Sequence, residues 1–136
     1  MAWTLIWYNL SLELILMRFN KPVNGKKRIK YNNLWFDSNA ELAYYVQLLH
    51  LEKANQLKII SLQPKIYLSG AKILYKPDFL IEENSELVYV DVKGFTTPIF
   101  AIKKRLWKFY GPGILRIVTG KKIDNVEGGN GKENQA

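Results

Sequence analysis

Three charged side chains interrupt two apolar runs, and they carry the clearest chemical signal in the sequence. The stretch ILYKPDFLIEENSELVYVDVKGF, residues 73–95, has the pattern of two strands around an acidic turn. Asp78 stands in the first run, and Asp91 and Lys93 stand in the second. Because strand side chains alternate between two faces, Asp91 and Lys93 are expected on the same face.

The two aspartates are predicted to lie close together at one end of a sheet. A three-residue turn, Glu83-Asn84-Ser85, would pair a strand over 72–82 with a strand over 86–93. Neighbouring carboxylates repel each other unless a cation lies between them. A small set of oxygen ligands suits Mg²⁺, and Lys93 would then stand beside the metal and offset charge on an attacked phosphate.

The full pattern is Pro77-Asp78, twelve intervening residues, and then Asp91-Val92-Lys93. Pro77 cannot donate to a strand ladder, and the bend it causes can turn the Asp78 side chain into a site. The pattern resembles the signature of the PD-(D/E)XK nuclease superfamily, and the chain looks most like the small endonucleases of phages and prophages. The resemblance covers residues 34–119.

This resemblance implies a metal-dependent DNA endonuclease that acts in phage or mobile-element DNA processing. Such enzymes hydrolyse phosphodiester bonds with water activated by Mg²⁺, and Mn²⁺ is expected to substitute. Similar enzymes cut branched DNA or nick duplexes, so structure-selective cleavage or nicking is expected here. Many of them act as dimers, which makes a homodimer an expectation for this chain.

The resemblance also implies roles for individual residues. Asp78, Asp91 and the backbone carbonyl of Val92 would bind the metal, and Lys93 would be the catalytic lysine. Glu41 would match an acid on the first helix that takes part in catalysis and in metal binding. Each of these roles is carried over from the matching position of the signature.

Two further residues have competing explanations. Ser38-Asn39-Ala40-Glu41 is also a capping box, in which the glutamate serves the start of a helix and not a reaction. Gln63 matches a glutamine that supports the site in some relatives. Both residues are therefore candidates for the site with a structural alternative.

The charged trio has alternatives as well. Asp91 and Lys93 could form an exposed ion pair on a strand, which contributes about 0.2–1 kcal/mol. Asp78 could be an ordinary turn residue after a proline. At the level of function, the alternative to a nuclease is a non-catalytic nucleic-acid-binding module on the same fold.

Composition favours a polyanionic partner. The 136 residues carry twenty Lys and Arg against twelve Asp and Glu, a formal charge of +8, and nucleic acid is the commonest partner of so basic a chain. The absence of cysteine excludes disulfides and thiolate zinc sites, and it is compatible with a cytoplasmic protein. The apolar residues 1–17 are too short to span a membrane and lack signal-peptide features; they read as an added element or as sequence upstream of a start at Met17.

Contacts with DNA are predicted for two groups of basic residues. One group belongs to an acid-free arm and comprises Lys26, Lys27, Arg28 and Lys30. The other belongs to the second helix and comprises Lys103, Lys104 and Arg105. Exposed arms and helix faces are often merely solvated, but beside a nuclease signature they favour contact with the DNA backbone.

Periodicity predicts the elements around the site. A helix is expected over 39–54, and a strand over 58–68 is expected to break near Gln63-Pro64. Thr97-Pro98 predicts the start of a second helix, which ends at Gly111-Pro112-Gly113 and is followed by a last strand. The apolar stripe of that helix is expected to consist of Ile99, Ile102, Leu106 and Phe109.

The predicted fold class is α/β. The order helix, three-stranded antiparallel meander, helix, strand predicts a mixed central sheet flanked by helices, and the resemblance implies a restriction-endonuclease-like core. Three regions are expected: an N-terminal apolar extension and basic arm over 1–33, a nuclease domain over 34–120, and a disordered tail over 121–136.

Overall fold

A computed structural model describes residues 28–94, 96–120 and 122–131 of the chain. The chain divides into two compact units, Met1–Ala54 and Asn55–Ala136. The predicted apolar extension and two residues of the basic arm, Lys26 and Lys27, lie outside the described residues. In the described part of the chain, no helix is long and apolar enough to cross a membrane.

The first unit contains a short hairpin and a helix. Strands β1 (Ile29–Tyr31) and β2 (Leu34–Phe36) pair in antiparallel fashion around Asn32-Asn33. Both asparagines have positive φ, 48° and 62°, which asparagine tolerates and which a tight hairpin turn requires. The region predicted as an N-terminal extension and basic arm, residues 1–33, therefore contains strand β1 and the turn at Asn32-Asn33.

Helix α1 (Asn39–Lys53) confirms the helix predicted over 39–54. Ser38 is its N-cap, and the Ser38 Oγ accepts a hydrogen bond from the Glu41 backbone N–H at 3.1 Å. The helix packs on the hairpin through Tyr45, whose ring centroid is 5.1 Å from that of Phe36. One of the two hydrogen bonds of a capping box, from the Glu41 backbone N–H to the Ser38 side chain, is therefore present.

The second unit is built on a mixed five-stranded sheet, which confirms the α/β fold class. In their order across the sheet, its strands are β3 (Lys58–Leu62), β6 (Phe79–Glu83), β7 (Glu86–Val92), β8 (Ile114–Val118) and β9 (Ile123–Glu127). All neighbours are antiparallel except β7 and β8, which are parallel. A parallel pair needs a long crossover, and helix α2 (Pro98–Tyr110) supplies it.

The strand predicted over 72–82 is wrong as a single element. It is divided into β5 (Leu74–Tyr75), which pairs with β4 (Ile66–Tyr67), and β6, which pairs with β3 and β7. The division falls at Pro77, which has no N–H to donate to a ladder. The break near Gln63-Pro64 is confirmed, because β3 ends at Leu62 and β4 begins at Ile66.

The turn between β6 and β7 also differs from the prediction of three residues. Glu83 pairs with Glu86, so only Asn84 and Ser85 form the turn. Their φ values are 52° and 64°, as in the two-residue turns that match the twist of paired strands. A shorter turn keeps β6 and β7 paired to their ends.

The apolar stripe predicted for α2 is wrong for three of its four residues; the fourth, Leu106, is partly buried against the core. Ile99, Ile102 and Phe109 are 66%, 56% and 46% exposed, whereas Phe100 and Trp107 are buried. The indole N–H of Trp107 donates to the Gly113 carbonyl at 2.9 Å. Two large aromatic rings two turns apart fill the space over the sheet better than an aliphatic row, because they bury more surface per residue.

The disorder predicted for the tail is wrong for residues 123–131. Strand β9 pairs with β8 along its whole length, and the chain then returns to the end of α2. There the Gly128 N–H donates to the Gly113 carbonyl, and the Gly131 N–H donates to the Phe109 carbonyl, each at 2.9 Å. A polar, glycine-rich sequence is typical of disorder, but here glycine permits close backbone approach.

Gly128→Ala should therefore destabilise the protein. A Cβ at Gly128 would lie 2.1 Å from the Gly111 carbonyl oxygen, and overpacking of this kind costs about 1–3 kcal/mol. Urea unfolding should show a lower midpoint for this variant. Gly70→Ala is the matched control, because its Cβ would meet nothing within 4 Å; equal midpoints for the two variants would contradict the close packing of the tail.

Candidate active site

Asp78 lies one residue before β6, at the end of its ladder with β7. The last pair of that ladder is Phe79 opposite Val90. The Asp78 Oδ2 accepts a hydrogen bond from the Val92 backbone N–H at 2.7 Å. The Asp78 carbonyl accepts from the Gln63 N–H at 2.9 Å. Hydrogen bonds on both sides therefore fix the first aspartate beside the strand that carries the second.

Asp91 is a buried carboxylate with two donors on one oxygen. The residue is 2% exposed. Its Oδ2 lies 3.3 Å from the Lys93 Nζ and also accepts a hydrogen bond from the Tyr75 hydroxyl. Burying an ionised carboxylate is unfavourable without such partners. The same-face relation of Asp91 and Lys93 predicted from strand alternation is thus present as an ion pair.

Tyr75 is the site residue that sequence reasoning missed. Alternation along one continuous strand puts it on the face opposite Asp78, but the chain changes course at Pro77, between the two residues. Burial raises the pKa of Tyr75, and the charge of Asp91, the hydrogen bond to Asp91 and the charge of Asp78 raise it further. A raised pKa favours the protonated hydroxyl, which donates to Asp91. The signal that could have found it is the proline, which marks the end of β5.

Aromatic side chains hold Tyr75 in place. Its ring centroid lies 5.9 Å from that of Trp107 in an edge-on arrangement and 6.4 Å from that of Phe100. Phe100 also lies under the ammonium of Lys93, whose Nζ is 4.6 Å from the ring centroid. The buried face of α2 thus positions both donors to Asp91.

A cavity of about 340 Å³ opens beside these residues. Three lysines line it, Lys76, Lys93 and Lys103, together with Tyr75 and Phe100. Lys103 extends across Tyr75, with its Nζ 5.8 Å from the ring centroid. The lining is therefore cationic and suits an anion, and Lys93 connects it to the buried carboxylate of Asp91.

The other predicted site residues have different surroundings. Gln63 is exposed and takes a positive φ of 48°, so its contribution to the site is the backbone bond to Asp78. Glu41 is buried at the start of α1 in the first unit, and its predicted role in metal binding stays a prediction. In the ranges 28–94, 96–120 and 122–131, no three His, Cys, Asp or Glu side chains are grouped to hold a metal ion.

The basic residues predicted to contact DNA divide into paired and solvent-facing groups. Arg28 bonds Asp37 through its Nε at 3.1 Å, and the Lys30 ammonium lies 5.7 Å from the centroid of the Trp35 ring. Lys104 forms an ion pair with Asp124 at 3.0 Å, which lowers the pKa of that carboxyl. Arg105 is exposed on α2.

A family model described as "Protein of unknown function (DUF1064)" matches residues 23–118. The chain belongs to this family. The matched DUF1064 region contains Asp78, Asp91 and Lys93, as well as Glu41, and it ends where β8 ends. No curated protein matches the chain. The resemblance to the PD-(D/E)XK nucleases stays a prediction from the residues.

Removal of the Tyr75 hydroxyl tests its hydrogen bond to Asp91. Tyr75→Phe should lower the free energy of unfolding by about 2 kcal/mol, because a buried carboxylate loses a donor and bonds to charged groups are worth about 1.5–3 kcal/mol. The control is Tyr89→Phe, whose ring also packs on Trp107, at 5.1 Å, and whose pKa is raised by burial alone. The free energy of unfolding of Tyr89→Phe should fall by no more than about 0.5 kcal/mol. Urea titration measures both variants. Equal losses would argue against the bond.

Proposed function

We propose that this protein is a metal-dependent DNA endonuclease that hydrolyses phosphodiester bonds. The observation that carries the proposal is the end of the β6–β7 ladder, where the Asp78 carboxylate accepts from the Val92 backbone N–H at 2.7 Å and Lys93 stands 3.3 Å from the carboxylate of Asp91, the residue before Val92. Such an arrangement adjoins a cavity lined by lysines. In metal-assisted cleavage of a phosphate ester, carboxylates hold the metal ion and nearby cations offset the charge of the phosphate. The two aspartates and the lysines of the cavity are residues of these two kinds.

The donor set fits Mg²⁺. Asp78, Asp91 and the Val92 carbonyl offer oxygen ligands only, and Mg²⁺ is bound in proteins by one or two carboxylates with several waters. Both donors to Asp91 bind the same oxygen, Oδ2, so Oδ1 is the oxygen that can face a cation. When bound, the metal would acidify a coordinated water and offset negative charge on the phosphate.

The protein's own residues would act around that centre. Tyr75 and Lys93 fix the plane of the Asp91 carboxylate by holding one of its oxygens. The Lys93 side chain is 29% exposed and lines the cavity, so its ammonium can reach a phosphate there while it stays paired with Asp91. A positive charge there stabilises the charge that builds on phosphate as water attacks phosphorus and the bond to the leaving oxygen breaks.

The alternative is a module that binds nucleic acid and does not cut it. The cationic cavity supports this reading as well, because lysines attract phosphate whether or not a bond is cleaved. The buried Asp91 favours the nuclease, since a surface that only attracts DNA has no use for a carboxylate beside its lysines. The same proposal includes structure-selective or nicking activity, homodimer formation and action on phage or mobile-element DNA, which come from the resemblance. It also includes a cytoplasmic location, with which the absence of cysteine is compatible.

Cleavage of DNA tests the proposal directly. Supercoiled plasmid, branched DNA and single-stranded DNA should be cut by the purified protein with Mg²⁺ or Mn²⁺, and not in EDTA. Asp78→Asn, Asp91→Asn and Lys93→Met should each reduce the cleavage rate at least about 100-fold, as loss of a single charged group does at such sites. Calorimetric titration should also show weaker Mn²⁺ binding to Asp91→Asn.

Matched controls separate catalysis from charge. Lys58→Met removes an exposed cation from β3, and Asp37→Asn removes an exposed carboxylate, so both should cut at the parental rate. Failure of the parent to cut any of the three substrates with either metal would rule out the nuclease. Salt-sensitive DNA binding by that inactive parent would then favour the binding module.

A further inference from the structure

Helix α2 has a cationic cavity on each of its flanks. Because an α-helix has 3.6 residues per turn, the buried Phe100 and Trp107 lie along one line of the helix surface. Lys103 and Lys104 lie on opposite sides of that line. Lys103 reaches toward Tyr75 of β5, whereas Lys104 reaches toward Asp124 of β9. The helix therefore separates two regions of positive charge.

The first flank is the cavity beside the candidate active site. Lys76 enters it from the segment after β5, Lys93 from the end of β7 and Lys103 from α2. Asp91 pairs with Lys93 at its base. This flank thus has three cations in its lining, and Lys93 connects it to the carboxylate of Asp91.

The second flank is a separate cavity of about 390 Å³ between α2 and the strands β8 and β9. Its cations are Lys104, Arg105, Lys108 and Lys122, and its carboxylate is Asp124, which pairs with Lys104. Three cations remain beyond that pair. Nothing in the proposed cleavage chemistry uses them, and their place across the helix from Asp91 needs another explanation.

The outward surface of α2 between the flanks is exposed and mostly uncharged. Ile102 and Phe109, two turns apart on this surface, are 56% and 46% exposed. Ile99, which is 66% exposed, borders it on the first flank, and Arg105 borders it on the second. Isoleucine methyl groups suit contact with thymine methyl groups, and arginine suits the acceptor edge of guanine. A ridge of this kind between rows of cations has the charge pattern of a helix that faces base edges and has phosphates on both sides.

We propose that α2 lies in the major groove of duplex DNA, with the first flank on the strand to be cut and the second flank on the opposite strand. The inference rests on the proposed function and names its substrate as B-form duplex. An α-helix with its side chains is about 10–12 Å wide, and the major groove is about 12 Å wide. Cations on the two flanks are therefore separated by roughly the distance between the phosphate rows that border the groove.

Binding measured in EDTA tests the groove proposal without cleavage. The probes are a mixed-sequence DNA duplex of about 20 base pairs, two helical turns, one of its strands alone, and an RNA duplex of the same sequence. The variants are Lys103→Ala for the first flank and Lys108→Ala and Lys122→Ala for the second. Lys58→Ala, an exposed cation elsewhere in the same unit, is the control.

The two flanks should respond differently. Lys108→Ala and Lys122→Ala should each weaken duplex binding about threefold to tenfold and reduce the salt slope by about 1, while binding of the single strand stays unchanged. Lys103→Ala should weaken both, because a lone strand still occupies the flank beside Asp91. The RNA duplex should bind at least about tenfold more weakly than DNA, since the deep, narrow major groove of A-form RNA does not admit a helix.

Three results would overturn the inference. They are equal losses of duplex and single-strand binding in the second-flank variants, RNA binding as tight as DNA binding, and losses no larger than that of Lys58→Ala. If the protein cuts DNA yet gives any of these results, the proposed function stands and the groove contact is ruled out. A protein that binds as expected yet never cuts with Mg²⁺ or Mn²⁺ loses the proposed function and keeps the duplex-binding surface.

Discussion

The buried carboxylate of Asp91 is the group on which the rest of the second unit depends. An ionised side chain that is 2% exposed is stable only with partners of matching charge or hydrogen-bonding capacity. Tyr75 and Lys93 are those partners, and each is held by an aromatic ring of α2. The burial of Asp91 therefore requires that Tyr75 and Lys93 stay in place, and the aromatic rings of α2 hold both of them.

The aromatic layer under α2 links stability to the candidate chemistry. Trp107 is fully buried, contacts the rings of Tyr75 and Tyr89 and bonds the Gly113 carbonyl. The same segment after α2 accepts the backbone of the tail at Gly128. Packing far from the carboxylates thus decides how firmly the donors to Asp91 are held, because a rigid support limits the movement of the groups it carries.

Local patterns predicted much of the fold. The caps at Ser38 and Thr97, the helix ends and the break near Gln63-Pro64 follow from short-range rules, and the structure has all of them. Strand alternation predicted that Asp91 and Lys93 share a face, because the period of two holds within one continuous strand. Patterns failed at Pro77 and along α2, where the outcome depends on which neighbours fill the space.

The sequence by itself determined the two helices and the α/β class through caps and periodicity. It also determined the nearness of Asp78, Asp91 and Lys93, since a hairpin with regular alternation fixes their placement locally. Only the tertiary structure brought Tyr75 to Asp91, buried Phe100 and Trp107 in place of an aliphatic stripe, and gave the glycine-rich tail a strand. Each of these depends on surfaces distant in sequence that compete for the same volume. Burial of large rings and of a carboxylate decides that competition, and no local pattern encodes its result.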